Sequence, residues 1–236
     1  MKSLDVKNLT RKTIEKVCQD SFSNRLSRKY YRFRYSSQFY GGIVTGDVIG
    51  CNLRCAYCWS QKTAWNTRKG SWYDPNQVVN ALLNLSKKNN CHKIRLSGGE
   101  PTLCKNHLLT VLRQMPDEIF FILETNGILL SQDSYIQDLE ELHNPPHIRI
   151  SLKAGETFFS VITYASLNTY EKQIHAIRLL KQSSLQFNVA IMAEFFTAKE
   201  ISKLQIEIFP KQLEIESLIM YPFVKEELQK RGFSMK

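Results

Sequence analysis

From residue 43 onward, short runs rich in β-branched and aromatic residues alternate with stretches that place apolar residues at helical spacing. The runs 43–49, 93–97, 119–124, 147–152, 187–193 and 213–220 read as strands. Between them 75–88, 106–114, 133–142, 168–181 and 198–209 read as helices. Asp74 before Pro75 opens the first of these, a capping carboxylate followed by a proline in the first turn. Strands that alternate with helices pair in parallel, with the helices outside the sheet. Six such units predict an α/β fold, a partial (β/α)6 TIM-like barrel over residues 41–236, preceded by a basic extension at 1–40. In barrels of this kind the active site gathers at the C-terminal ends of the strands. Candidate site residues should therefore follow strands, not precede them.

At 236 residues, 43% hydrophobic and 11% aromatic, the chain has enough apolar surface for a packed core and is not a disordered chain. No run approaches the roughly 18 apolar residues of a membrane span. The opening MKSLDVKNLTRKTIEK lacks the apolar run of a secretory signal. A cytoplasmic protein without membrane contact is expected. Residues 1–40 hold ten Lys/Arg against three Asp/Glu, +7 of the chain's +10. Arg25, Arg28, Lys29, Arg32 and Arg34 alternate there with Tyr30, Tyr31, Phe33 and Tyr35. Three readings stand: a solvated helix whose aromatics pack on the domain, a nucleic-acid contact, or a docking site for an acidic electron donor.

Three of the six cysteines fall within eight positions, in Gly50-Cys51-Asn52-Leu53-Arg54-Cys55-Ala56-Tyr57-Cys58. This C-x3-C-x2-C loop follows the first strand and reads as metal ligation in a reducing compartment. Three thiolates suit iron–sulfur or zinc. A structural zinc site wants a fourth ligand. Cys91 and His92 precede the second strand and belong at the opposite end, whereas Cys104 follows it and could reach. Cys18, Cys91 and Cys104 otherwise read as unpaired, buried packing residues. Three ligands on four irons leave one iron open to an amine-plus-carboxylate chelate.

The C-x3-C-x2-C loop with Tyr57 before its last cysteine resembles the signature of the radical S-adenosylmethionine superfamily. The resemblance implies an oxidoreductase in which Cys51, Cys55 and Cys58 hold a [4Fe-4S] cluster and Tyr57 lies near the adenine of S-adenosyl-L-methionine. It implies reductive cleavage of that cofactor to a 5′-deoxyadenosyl radical that abstracts a substrate hydrogen, with a low-potential electron donor of flavodoxin or ferredoxin type. Ser97-Gly98-Gly99-Glu100-Pro101, after the second strand, is similar to the family's GGEP motif, which receives the cofactor's ammonium. Glu124-Thr125-Asn126-Gly127 and Ser151-Leu152-Lys153 resemble the DTNG and DLK segments of glycyl-radical enzyme activases, which border its carboxylate and ribose. Glu124 and Ser151 stand where activases carry Asp, Phe223 and Val224 replace a Tyr-His pair, and strand five has no counterpart of the activases' Arg. The cluster end is thus retained and the far end rewritten.

Three substrate classes follow: a protein glycyl site, a small molecule, or a tRNA base. Cys58-Trp59 and the basic stretch with Trp65, Arg68, Lys69 and Trp72 resemble wyosine-building enzymes. A non-enzymatic metal-binding protein is the rival from another class. The Gly-Gly-Glu-Pro turn and the gathering of motifs at strand ends argue against it.

Overall fold

The computed structural model describes residues 3–19, 26–207 and 212–233. Its strands are β1 (Cys18–Gln19), β2 (Ser27–Ser36), β3 (Ile43–Val48), β4 (Ser71–Tyr73), β5 (Lys93–Gly98), β6 (Phe120–Thr125), β7 (His147–Ser151), β8 (Phe187–Met192) and β9 (Leu213–Glu216). The helices are α1 (Val6–Val17), α2 (Gln61–Ala64), α3 (Pro75–Lys88), α4 (Lys105–Arg113), α5 (Asp133–Glu140), α6 (Glu156–Thr163), α7 (Leu167–Gln182), α8 (Ala198–Glu207) and α9 (Pro222–Lys230). β3, β5, β6, β7, β8 and β9 lie side by side in that order, every pair parallel. These are the six expected strands. The sheet stays open: β9 ends one side, and β2 continues the other, antiparallel to β3.

The helices cover one face of this sheet. Val78 and Leu82 of α3, Leu108 of α4 and Ile177 of α7 share one apolar core with strand residues such as Ile94 and Ile148. α3 starts as its sequence asks: Asp74 Oδ1 accepts from Gln77 N at 2.9 Å, and Gln77 Oε1 accepts from Asp74 N at 3.0 Å. The other face is polar. Thr45 stands beside Arg95, Asp47 beside Ser97, Glu124 beside Arg149, and Arg149 beside Asn188. Side chains alternate along a strand, so one in two of these otherwise apolar runs points into the barrel.

Several expectations need correction. Residues 27–36 of the basic segment form strand β2, not a helix; Arg25 lies outside the described residues. The period-2 alternation of Arg32 and Arg34 with Phe33 and Tyr35 is a strand pattern, and both arginines meet the wholly buried Asp47 Oδ2, at 2.6 and 3.0 Å. The last strand stops at Glu216, not at residue 220, and Pro222 opens α9 a few residues on. Of the helix expected over 198–209, the part through Glu207 is observed and the remainder lies outside the described residues. Helix α6 was not foreseen, because ETFFSVIT is rich in residues of strand propensity. It is held by burial of Phe159 and Ile162 and closed by Tyr164 in the left-handed region, at φ 60°. Cys18 and Cys104 are not separate packing residues: they are bonded to each other, with Cα atoms 5.6 Å apart.

Candidate active site at the cysteine loop

The loop after β3 carries Cys51, Cys55 and Cys58 as free thiols. Backbone contacts hold it. Gly50 N donates to Ala64 O at 2.9 Å, Glu100 N to Gly50 O at 2.7 Å, and Gly99 N to Val48 O at 2.9 Å. The turn after β5 is thereby laced onto the start of the cysteine loop. A β-carbon on Gly99 would sit far inside van der Waals contact distance of Gly50 O. Gly98 takes φ +93°, where side chains are strained. The paired glycines bring two backbones together, a demand that motif reading had assigned to the cofactor alone.

Glu100 is buried, and its carboxylate ties together the ends of β5 and β6. Oε1 accepts from Thr102 N at 3.1 Å, Thr102 Oγ1 at 2.7 Å and Thr125 Oγ1 at 2.7 Å, and Oε2 from Asn126 N at 2.8 Å. A carboxylate offers about four lone-pair positions. Oε2 therefore keeps one. Asn126 continues the chain of contacts: its Nδ2 donates to Asn52 Oδ1 at 2.8 Å, and its backbone oxygen accepts from Gln173 Nε2. Asn52, on the cysteine loop, is wholly buried, and its Nδ2 has no partner. From below, Arg28 donates to the backbone oxygens of Glu100, at 2.6 Å, and Pro101. One of the five basic residues is thus a buried anchor of the motif turn.

Tyr57 lies flat on Phe195, ring centroids 4.8 Å apart, and its hydroxyl donates to Lys153 O at 2.9 Å. Lys153 Nζ donates to Ser151 Oγ at 2.6 Å. The sequence-predicted residues Tyr57, Gly98, Gly99, Glu100, Pro101, Thr125, Asn126, Ser151 and Lys153 follow or end their strands, and a continuous set of contacts links most of them to the cysteine loop. Glu124 is differently engaged. Its Oε1 accepts from Arg95 Nη1 at 2.6 Å and Tyr40 OH at 3.0 Å, its Oε2 from Ser97 Oγ at 2.7 Å. Burial opposes its ionisation, yet Arg95, Arg149 and the Ser97 bond hold the carboxyl below its usual range.

Burial pushes the Cys51 thiol up to about 12, with Glu100, Cys55 and Cys58 adding to it. Burial likewise takes Cys55 to about 11, against the charge of Lys153. Such thiols stay protonated until a metal displaces the proton. Among the described residues no three His, Cys, Asp or Glu side chains gather as ligands of a single ion. A four-iron cluster asks for less convergence, because each thiolate binds a different iron. Three soft donors on one loop, the glycine-tight approach of Gly99 and the unpartnered Asn52 Nδ2 fit such a group with an amino-acid ligand beside it. Cys91 and His92 lie before β5, away from this end, and Cys104 is taken up by Cys18.

The model of the radical SAM superfamily matches residues 48–202. The chain belongs to that superfamily. Its members are enzymes that use a [4Fe-4S] cluster and S-adenosylmethionine. A Methanocaldococcus jannaschii protein, provisionally named a glycyl-radical enzyme activating enzyme, is 31% identical over 112 residues, 47% of this chain and 39% of that protein. The 7-carboxy-7-deazaguanine synthase of Thermococcus kodakarensis is 30% identical over 174 residues, 61% of this chain and 64% of that protein. This radical SAM chain thus spans less than two thirds of either relative. The crystal structure of Streptococcus suis SuiB bound to precursor peptide SuiA superposes with a TM-score of 0.60 at 13% identity, over 82% of this chain and 47% of that one. That likeness shows the partial TIM-like fold. No helix among the described residues is long and apolar enough to cross a membrane.

Sequence reasoning missed the polar barrel wall. Arg149 Nε donates to Glu214 Oε2 at 3.0 Å, and its Nη2 reaches Glu216 Oε1 at 2.9 Å. Asn188 Nδ2 donates to Glu214 Oε2 at 2.6 Å. The signal was present: an arginine at the centre of two apolar runs, KIRLS and HIRIS, is out of place unless it faces inward.

Proposed function

We propose that Cys51, Cys55 and Cys58 hold a [4Fe-4S] cluster and that the strand ends around them bind S-adenosyl-L-methionine for radical chemistry on a protein or peptide substrate. The observation that carries this reading is the lacing of the cysteine loop onto the Gly98-Gly99-Glu100 turn, which places a three-thiol loop beside a tight backbone cradle. The bound cluster and cofactor would supply reductive cleavage to a 5′-deoxyadenosyl radical, which takes a hydrogen from the substrate. The chain's own residues bind and orient. Glu100, with one lone pair of Oε2 open, receives the cofactor's ammonium together with the backbone of Gly98 and Gly99. Pro101 fixes that turn. Tyr57, flat against Phe195 and tied to Lys153 O, forms a rigid wall for the adenine. Thr125, Asn126, Ser151 and Lys153 face the ribose and carboxylate, with the Lys153 ammonium countering the carboxylate charge. Glu124 acts at one remove, by fixing Arg95 and Tyr40 on the barrel wall. Buried Leu53, Ala56 and Phe195 exclude water from the reacting end.

A protein substrate is supported by the name of the Methanocaldococcus jannaschii relative and by the peptide complex of the SuiB structure. The test is anaerobic reconstitution with iron and sulfide, then incubation with S-adenosylmethionine and dithionite. The reading predicts 5′-deoxyadenosine, with Asn126→Ala retaining its iron but binding the cofactor more weakly. A reconstituted protein that holds four irons and never yields 5′-deoxyadenosine contradicts it.

A further inference from the structure

The geometry points to the surface around Lys62, Arg68 and Lys69 as the docking site of an acidic one-electron carrier protein. This inference rests on the proposed radical chemistry, which needs one electron delivered to the cysteine loop for each cleavage. The carrier is oxidised by one electron, the cluster is reduced by one, and no bond is made between the two proteins.

Between Asp47, wholly buried, and Asp74, residues 48–73 contain no carboxylate and four cations: Arg54, Lys62, Arg68 and Lys69. Lys62, Arg68 and Lys69 are exposed. No ion pair neutralises them among the described residues. Two of them, Lys62 and Arg68, line an open depression of about 480 Å³ with Gln61, Trp65, Asn66 and Thr67. That depression shares a wall with the cysteine loop. Arg54 donates to Cys51 O at 2.8 Å and lies over the Trp65 ring, 5.2 Å from its centroid, and Ala64 O holds Gly50 N. A protein seated there is separated from the backbone of Cys51 by the Trp65 and Arg54 side chains.

Uncompensated charge of one sign beside an electron-accepting loop speeds encounter with a partner of the opposite sign. An RNA partner is the competing reading. It is disfavoured because Arg54 already occupies a face of Trp65, and Lys29 lies over Trp72 at 5.1 Å, so those faces are closed to base stacking.

The test uses the full reconstituted chain and the triple variant Lys62→Glu, Arg68→Glu, Lys69→Glu. Arg68→Glu/Lys69→Glu serves as a second variant, since Lys62 also lies over Phe223. Purified flavodoxin is titrated against each protein by calorimetry at low and high salt. Separately, cleavage is driven by reduced flavodoxin or by dithionite. We expect flavodoxin binding to weaken at least about tenfold in both variants and with salt in the wild type. The KM for flavodoxin should rise by a similar factor while the dithionite rate is unchanged. Equal binding of flavodoxin by wild type and variants overturns the proposal. Transfer RNA binding that is tight in the wild type and lost in the triple variant, without flavodoxin binding, also overturns it in favour of RNA. Absence of dithionite-driven cleavage in the wild type counts against the radical chemistry alone; the binding titration still decides the docking surface.

Discussion

The two sides of the open barrel are built by different physics. On the cysteine side, where β3, β5 and β6 end, contacts run from backbone to backbone, or from one buried carboxylate to amide and hydroxyl donors. On the far side, β7, β8 and β9 meet through Arg149, Asn188, Glu214 and Glu216, polar and charged groups that reach solvent at their outer end. The first kind of site tolerates almost no change of shape. The second can be rewritten one side chain at a time. The difference teaches where to look for what is shared with the superfamily and what is particular to this chain.

The largest expected effect breaks the cysteine side alone. Gly99→Ala drives a methyl into Gly50 O, so the cysteine loop must move. Overpacking of this kind costs about 3 kcal/mol at the upper end of the usual range. Iron retention after reconstitution should fall steeply along with the melting temperature. Near-normal iron with weak cofactor binding would mean instead that the glycine faces only the ligand.

Next comes Arg149→Met, which leaves Glu124, Glu214 and Glu216 around an uncharged side chain. Breaking a buried pair costs about 3–5 kcal/mol, and the partial exposure of Glu214 and Glu216 brings this down to about 2. Denaturant unfolding should show that loss while iron content and cofactor cleavage stay normal. Loss of iron in this variant would erase the contrast between the two sides.

A third effect lies beneath the cysteine side. His107 Nε2 meets Tyr30 OH at 3.1 Å, and burial beside Arg28 lowers its pKa to about 3. The unfolded chain binds the proton first, so stability is complete above the ordinary value near 6.5 and declines as pH falls toward 3. The slope from this one group is up to about 1.4 kcal/mol per pH unit. His107→Gln should flatten the decline between pH 6 and 4, measured as the denaturant midpoint.

The smallest effect belongs to Arg32→Gln alone. Arg32 is partly exposed, and Arg34 keeps the buried Asp47 Oδ2 paired at 3.0 Å. A loss of about 1 kcal/mol is expected. Arg28→Gln should do more, since Arg28 is buried against Glu100 O and Pro101 O. Segment 28–34 therefore belongs to the sheet, paired with β3 on one side and, at 28–30, with β4 on the other, rather than to a detached arm.

What the sequence made legible follows the same division. The parallel strands and the motif turns could be read because apolar period, Asp74-Pro75 and the glycine pairs are local signals. The role of Glu100 was read only in part. Its ties to Thr125 and Asn126 depend on the ends of β5 and β6 meeting, which no local pattern states. Arg28 was read with the surface cations because burial of an arginine is decided by what lies above it, here the turn after β5. The pairing of Cys18 with Cys104, 86 residues apart, is a tertiary fact for the same reason.

The most direct test of the account is iron content and electron paramagnetic resonance of the reduced, anaerobically reconstituted chain beside Cys55→Ala. About four irons per wild-type chain are predicted, with a cluster signal that shifts when S-adenosylmethionine is added, and both should be lost in Cys55→Ala. A wild type that holds one zinc and no iron, or a Cys55→Ala chain that keeps the shifting signal, would contradict the account.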